Sequence, residues 1–144
     1  MHIKWIYASI VKYFDAALTT KHFFNGEDEA DEQGKFIEIK IYGPKKERQT
    51  KTETCVEVVI DFVIHTPKST PDVLMPHVVA DEVDDTLDDI PIFKLGNGPD
   101  DDPGAQIYCL RLDDTEPYVF LGPVDKETQL NRAVLRAYYS QSIE

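Results

Sequence analysis

The chain has 144 residues, of which 42% are hydrophobic and 10% aromatic, with 27 acidic and 15 basic residues giving a formal charge of −12. That length fits one domain spanning residues 1–144, and the hydrophobic content excludes a disordered chain. The acidic balance argues against a DNA reader, which needs a basic surface to displace phosphate counterions; no apolar run approaches a membrane span, and residues 1–18 do not read as a signal peptide.

The stretch "KWIYASIVKYFDAAL", residues 4–18, predicts an amphipathic helix, with Ile6, Ile10, Phe14 and Ala17 at helical spacing and Val11 and Leu18 widening the stripe. "TTKHFFNG" ends it, with Phe23 and Phe24 tucked beneath, and "EDEADEQGK" reads as a polar loop. "FIEIKIY", Phe36 to Tyr42, alternates as a strand with Ile37, Ile39 and Ile41 inward. Gly43-Pro44 is expected to break it. A polar connection from Lys45 to Thr54 then leads to "CVEVVIDFVIHTP", Cys55 to Pro67, the most regular strand pattern in the chain. Val56, Val58, Ile60, Phe62 and Ile64 share one face; Cys55, Glu57, Val59, Asp61, Val63 and His65 share the other. Together these strands predict an antiparallel hairpin with a long basic arm, a connection length often tied to function.

A second helix is expected over residues 71–88, entered by Thr70 and Pro71, with Val73, Leu74, Val78, Val83 and Leu87 on its apolar side. Pro76 implies a kink or a start nearer His77, while Asp81, Asp84, Asp85 and Asp88 mark the wet side. "IPIFKL" reads as a short strand and "GNGPDDDPGA" as a turn. "IYCLRL" and "YVFLG" suggest a second hairpin across "DDTEP". The tail is ambiguous. Leu130, Val134 and Tyr138 fit a helix, whereas Ala133, Leu135, Ala137 and Tyr139 fit one face of a strand. The expected fold class is α+β, a mainly antiparallel sheet with two helices packed on it and one long hairpin arm.

The mixed face of the Cys55–Pro67 strand holds a thiol, two carboxylates and an imidazole, the materials of a reactive centre. Glu57, Asp61 and His65 are four residues apart, however, or about 13 Å along an extended chain. A metal ion holds its ligands about 2.0–2.6 Å away, so no two of these side chains grip one ion together. Partners from other strands would be needed. No G-x-S-x-G, P-loop, C-x-x-C, H-E-x-x-H or Rossmann glycine pattern occurs. His2, His22, His65 and His77 are scattered, and Cys55 and Cys109 read as buried free thiols suited to a reducing compartment. "GNGPDDDPG" lacks the alternating ligands and closing glutamate of a calcium loop. Catalytic, metal and cofactor sites are therefore all assigned as none. Tyr108, Tyr118, Phe120, Tyr138 and Tyr139 make the late sequence aromatic, as core packing or as a subunit interface.

Charge is segregated. Seventeen of the 27 acidic residues lie in Glu27–Glu32, Asp81–Asp89, Asp100–Asp102 and Asp113–Glu116, whereas Lys45, Lys46, Arg48 and Lys51 fall in the single window "PKKERQTK". Complementary patches or solvated loops both follow from such runs.

The order of elements, with "FFNGED", "IEIKIYGP" and "IPIFKLGNGPDDD", resembles the tail-terminator proteins of long-tailed bacteriophages and related neck proteins. The long acidic segment around Glu27–Glu32 departs from that pattern. The resemblance implies a non-enzymatic virion protein forming a ring, commonly a hexamer, on the finished tail tube. Such a ring halts tube growth and joins the tail to the head. It also implies that the C-terminal element is a strand. Implied partners are other copies of the chain, the tail tube protein and a head-completion or neck protein, with genomic DNA only as a passing duplex. The implied location is the virion, and the host cytoplasm during assembly. Lys45, Lys46, Arg48 and Lys51 against Asp81, Asp84, Asp85 and Asp88 are the candidate interface residues, with Glu27–Glu32 as the other acidic segment that could meet the arm. Another neck or capsid-associated protein, a small metal-dependent hydrolase and a host-directed binding module are the alternatives.

Overall fold

Residues 3–25, 34–48, 54–68, 73–94, 104–123 and 130–143 are described by a computed structural model of the chain. They form α1 (Ile3–Ala17), β1 (His22–Phe24), β2 (Phe36–Arg48), β3 (Thr54–Pro67), α2 (Met75–Thr86), β4 (Ile90–Phe93), β5 (Gln106–Thr115), β6 (Val119–Pro123) and β7 (Leu130–Ile143). The fold is mixed α and β and mostly sheet. Strands run in the order β1-β2-β3-β7-β5-β4, with β6 also on β7.

The alternation of β3 makes it the centre. Val56, Val58, Ile60, Phe62 and Ile64 are all buried on one face. β2 pairs antiparallel along one side and β7 along the other, from Thr54 opposite Ile143 to Pro67 opposite Leu130. Ile6, Ile10 and Phe14 of α1 and Val79, Ala80 and Val83 of α2 belong to the same buried cluster as that face. The rings of Phe14 and Phe62 meet at 5.1 Å and 68°, an edge-type contact favoured by the ring quadrupoles.

Several expectations are corrected. The sheet is mainly antiparallel as expected, but His22–Phe24, not read as a strand, lie parallel to Ile37–Ile39 at its edge. Three residues are too few to show a period, so Phe23 and Phe24 read as packing residues only. Gly43-Pro44 does not break the strand. The register shifts there, then pairing resumes from Lys45 opposite Glu57 to Arg48 opposite Thr54. Gly43 has φ 103°, and a Cβ on it would sit 2.8 Å from the Glu57 carbonyl oxygen. Glycine is required at this bulge. The connection between the strands thus shrinks to residues 49–53, Lys51 among them, which lie outside the described residues.

The ambiguous tail is a strand. Ala133, Leu135, Ala137 and Tyr139 are buried on its inward face, and the long edge of β3 supplies backbone partners for all of it. No β5–β6 hairpin forms. Both strands lie end to end along the same side of β7, β5 opposite Ala137–Ser140 and β6 opposite Asn131–Val134. Between them the Glu116 amide donates to the Arg136 carbonyl at 2.9 Å. The link Glu116-Pro117-Tyr118 interrupts one edge; it does not reverse the chain.

α2 begins at Met75 with Pro76 in its first turn, where a missing N–H costs nothing. Its buried residues are Pro76, Val79, Ala80 and Val83. Val73, Leu74 and Val78, expected inward, are exposed instead: Val73 and Leu74 precede the helix, and Val78 lies about 100° round it from the buried Val79. Thr70 and Pro71 lie outside the described residues, as do Glu27–Glu32 and Asp100–Asp102. No helix among the described residues is long and apolar enough to cross a membrane.

Candidate interaction surface

The mixed face of β3 is committed to cross-strand pairing. Asp61 lies between Lys40 and Arg136 in register. Both of its carboxylate oxygens accept from the Arg136 guanidinium, from Nε at 2.5 Å and Nη2 at 2.8 Å. Lys40 pairs with Glu38 at 3.1 Å. His65 stacks on Phe36 with ring centroids 4.4 Å apart and planes 10° from parallel. Its Nε2 has no hydrogen-bond partner among the described residues. Burial lowers its pKa, a shift reinforced by Arg132 and Lys40 and opposed by Glu38. As pH falls below about 6.5 the unfolded chain takes that proton first, so stability supplied by the neutral ring is lost on acidification. Cys55 donates to the Val56 carbonyl, and burial pushes its thiol up, away from the thiolate a nucleophile or ligand needs. Among the described residues no three His, Cys, Asp or Glu side chains gather to hold a metal ion.

The charged segments lie apart. Lys45 is exposed on β2 beyond the bulge; Lys46 and Arg48 follow on the same strand. Asp81, Asp84 and Asp85 are exposed on α2. Asp88 and Asp89 close the turn into β4: Asp88 accepts from the Asp89 amide at 2.8 Å, and Asp89 from the Leu112 amide at 2.9 Å. Of the four aspartates assigned from sequence to the interface, Asp81 and Asp84 line the groove beside α2, whereas Asp85 and Asp88 do not.

That groove, about 370 Å³ in volume, runs between α2 and the segment linking β5 to β6. Asp81, Asp84, Glu116, His77 and Tyr118 supply its polar lining. Ala80 and Leu135, both nearly inaccessible, lie at its base with Pro117 alongside. His77 Nδ1 and the Tyr118 hydroxyl are 3.0 Å apart, and the Tyr138 hydroxyl donates to Glu116. Beside it Val78 and Phe120 are 59% and 46% exposed. The late aromatics therefore divide: Tyr139 is core, whereas Phe120 lies open next to His77.

Sequence reasoning missed Glu82. It stands in an acidic run, yet its carboxylate accepts four hydrogen bonds from the segment after α1. The Thr19 amide and hydroxyl donate at 2.8 and 2.9 Å, and the Thr20 amide and hydroxyl at 2.9 and 2.5 Å. Burial raises the pKa of this carboxyl, but those donors outweigh it and bring it down to about 2. A depressed carboxylate pKa supplies stability above its unfolded value near 4.3, lost as pH falls toward 2. Glu82→Gln is expected to cost about 1–2 kcal/mol at pH 7, allowing for solvent screening. Urea unfolding at pH 7 and pH 3 checks this: the gap between the proteins should narrow in acid. A gap below about 0.5 kcal/mol, or one independent of pH, would contradict the clamp.

No protein-family model and no curated protein matches the chain.

Proposed function

We propose that this chain is a structural virion protein, the tail terminator of a long-tailed bacteriophage, working as a ring at the head-proximal end of the tail tube. The supporting observation is the placement of opposite charge on separate surface elements. Lys45 stands exposed on the extended β2 strand, and Asp81 and Asp84 stand exposed on α2 beside open Val78 and Phe120. Closed rings need heterologous contacts, in which one patch meets a different patch on the next copy. Two unlike patches on one chain meet that requirement. The polar face of β3 adds support, since Asp61, its best candidate ligand, is held bidentately by Arg136. The surplus of carboxylates suits a channel through which DNA passes without sticking.

In this reading the helices back one face of the sheet while the β2–β3 arm reaches the neighbouring copy. The ring caps the tube, stops its growth and presents a surface to the head-completion protein.

Reversing Lys45, Lys46 and Arg48 to glutamate is expected to weaken assembly about 100-fold or more, because like charges then face each other. Melting temperature and circular dichroism should stay close to those of the parent. Tails of normal length assembled in vitro with the triple variant would count against the arm's role.

A further inference from the structure

We infer that the groove between α2 and the β5–β6 link is the socket for Lys45 of a neighbouring copy, which deepens the proposed ring by naming both halves of its repeating contact. The groove is chemically divided. Asp81 and Asp84 bring two exposed carboxylates to it, while the Glu116 carboxylate is engaged by Tyr138; Ala80, Leu135 and Pro117 offer apolar surface. A long side chain with an alkyl stem and a charged head matches both parts: the stem lies against carbon and the ammonium meets carboxylate. The Tyr118 ring in the same lining adds a face for a cation. An anionic or wholly apolar occupant would leave one half unmatched.

The chain's own arm does not fill this groove. Leu135, at the base, lies opposite Phe62 of β3, whereas Lys45 lies opposite Glu57. Five residues of strand separate those positions, about 16 Å. They also belong to opposite faces of the sheet, since Phe62 is inward and Glu57 outward. The arm must therefore enter a different copy. Lys45 is exposed on the outward side of β2, and Tyr42, half exposed, shares that side. Tyr42 is thereby offered to the open Val78 and Phe120 beside the next copy's socket. Such a contact is head-to-tail, and repeating it gives a ring if the rotation closes.

Carbodiimide coupling, which joins lysine to a touching carboxylate, tests the socket. Equal amounts of ¹⁴N- and ¹⁵N-labelled chain are mixed at high concentration, coupled and mapped by mass spectrometry, with sedimentation run in parallel. Mixed-isotope links from Lys45 to Asp81 or Asp84 are expected. Association with mixed links only elsewhere would overturn the socket and leave a ring built by another contact. A chain that stays monomeric would overturn both. A charge swap gives the second arm: Lys45→Glu alone, and Asp81→Lys with Asp84→Lys, should each weaken association about 10-fold or more, and combining all three should recover most of it. A folded triple variant no stronger than either parent would overturn the pairing.

Discussion

Phe62→Ala is expected to cost about 3–5 kcal/mol, the largest effect of any single change considered. Phe62 is fully buried at the middle of β3 and meets Phe14 of α1 edge to face. Its removal deletes a ring and leaves a cavity bounded on two sides by regular structure. Leu135 lies opposite it on β7 and Ile39 on β2, and neither strand can close the gap without losing register. Domains of this size are stable by only about 5–15 kcal/mol, so the variant should lose a large share of its margin. At about 2–4 °C per kcal/mol the midpoint should fall by roughly 10 °C. Calorimetry checks it. A loss under about 1 kcal/mol would mean that Phe62 is not in a packed core.

Asp61→Ala should follow at about 2–3 kcal/mol. The Asp61 side chain is 9% exposed and takes both bonds from Arg136, whose own side chain is 39% exposed. Removing Asp61 strands the guanidinium between Tyr138 and the outer face, although partial access to water moderates the cost. Arg136→Met should be at least as damaging, since it strands the more deeply buried charge. The diagnostic result is the double variant Asp61→Leu with Arg136→Met. It should be markedly more stable than the sum of single losses, because the pair is removed together and apolar side chains replace it. Strict additivity in urea unfolding would show that the two side chains do not interact.

Legibility from sequence followed pattern length. β3 was readable because ten successive residues alternate; its apolar face is buried throughout, and Cys55, Asp61, Val63 and His65 of the other face are buried as well. α1 was readable from Ile6, Ile10 and Phe14. β1 was not, because three residues carry no period and its parallel partner lies across a connection beginning at Asn25. Gly43 was recognised as special but misread as a stop. Telling a bulge from a break requires the facing Glu57 carbonyl, which is set by register. β7 stayed open because alanine and leucine serve helix and strand alike, and only the β3 edge decides. β5 and β6 looked like a hairpin because "DDTEP" has turn chemistry, yet both strands run antiparallel to β7.

The charged surface was legible as runs and illegible as roles. Within Asp81–Asp89, three neighbouring side chains do different work: Glu82 clamps the segment after α1, Asp84 lines a groove, and Asp89 holds the Leu112 amide. One helical turn separates inward from outward, and no composition count distinguishes them. Glu116 and His77 join the groove from 39 residues apart, a juxtaposition made only by the sheet.

Sedimentation velocity with negative-stain microscopy, on the purified chain alone and mixed with the tail tube protein proposed as its partner, tests most directly whether contacts between copies do the work. Closed rings near six times the 16.4 kDa chain mass are expected, free or seated on tube ends. A chain that stays monomeric under both conditions, and that gains thermal stability on adding zinc or calcium, would contradict it.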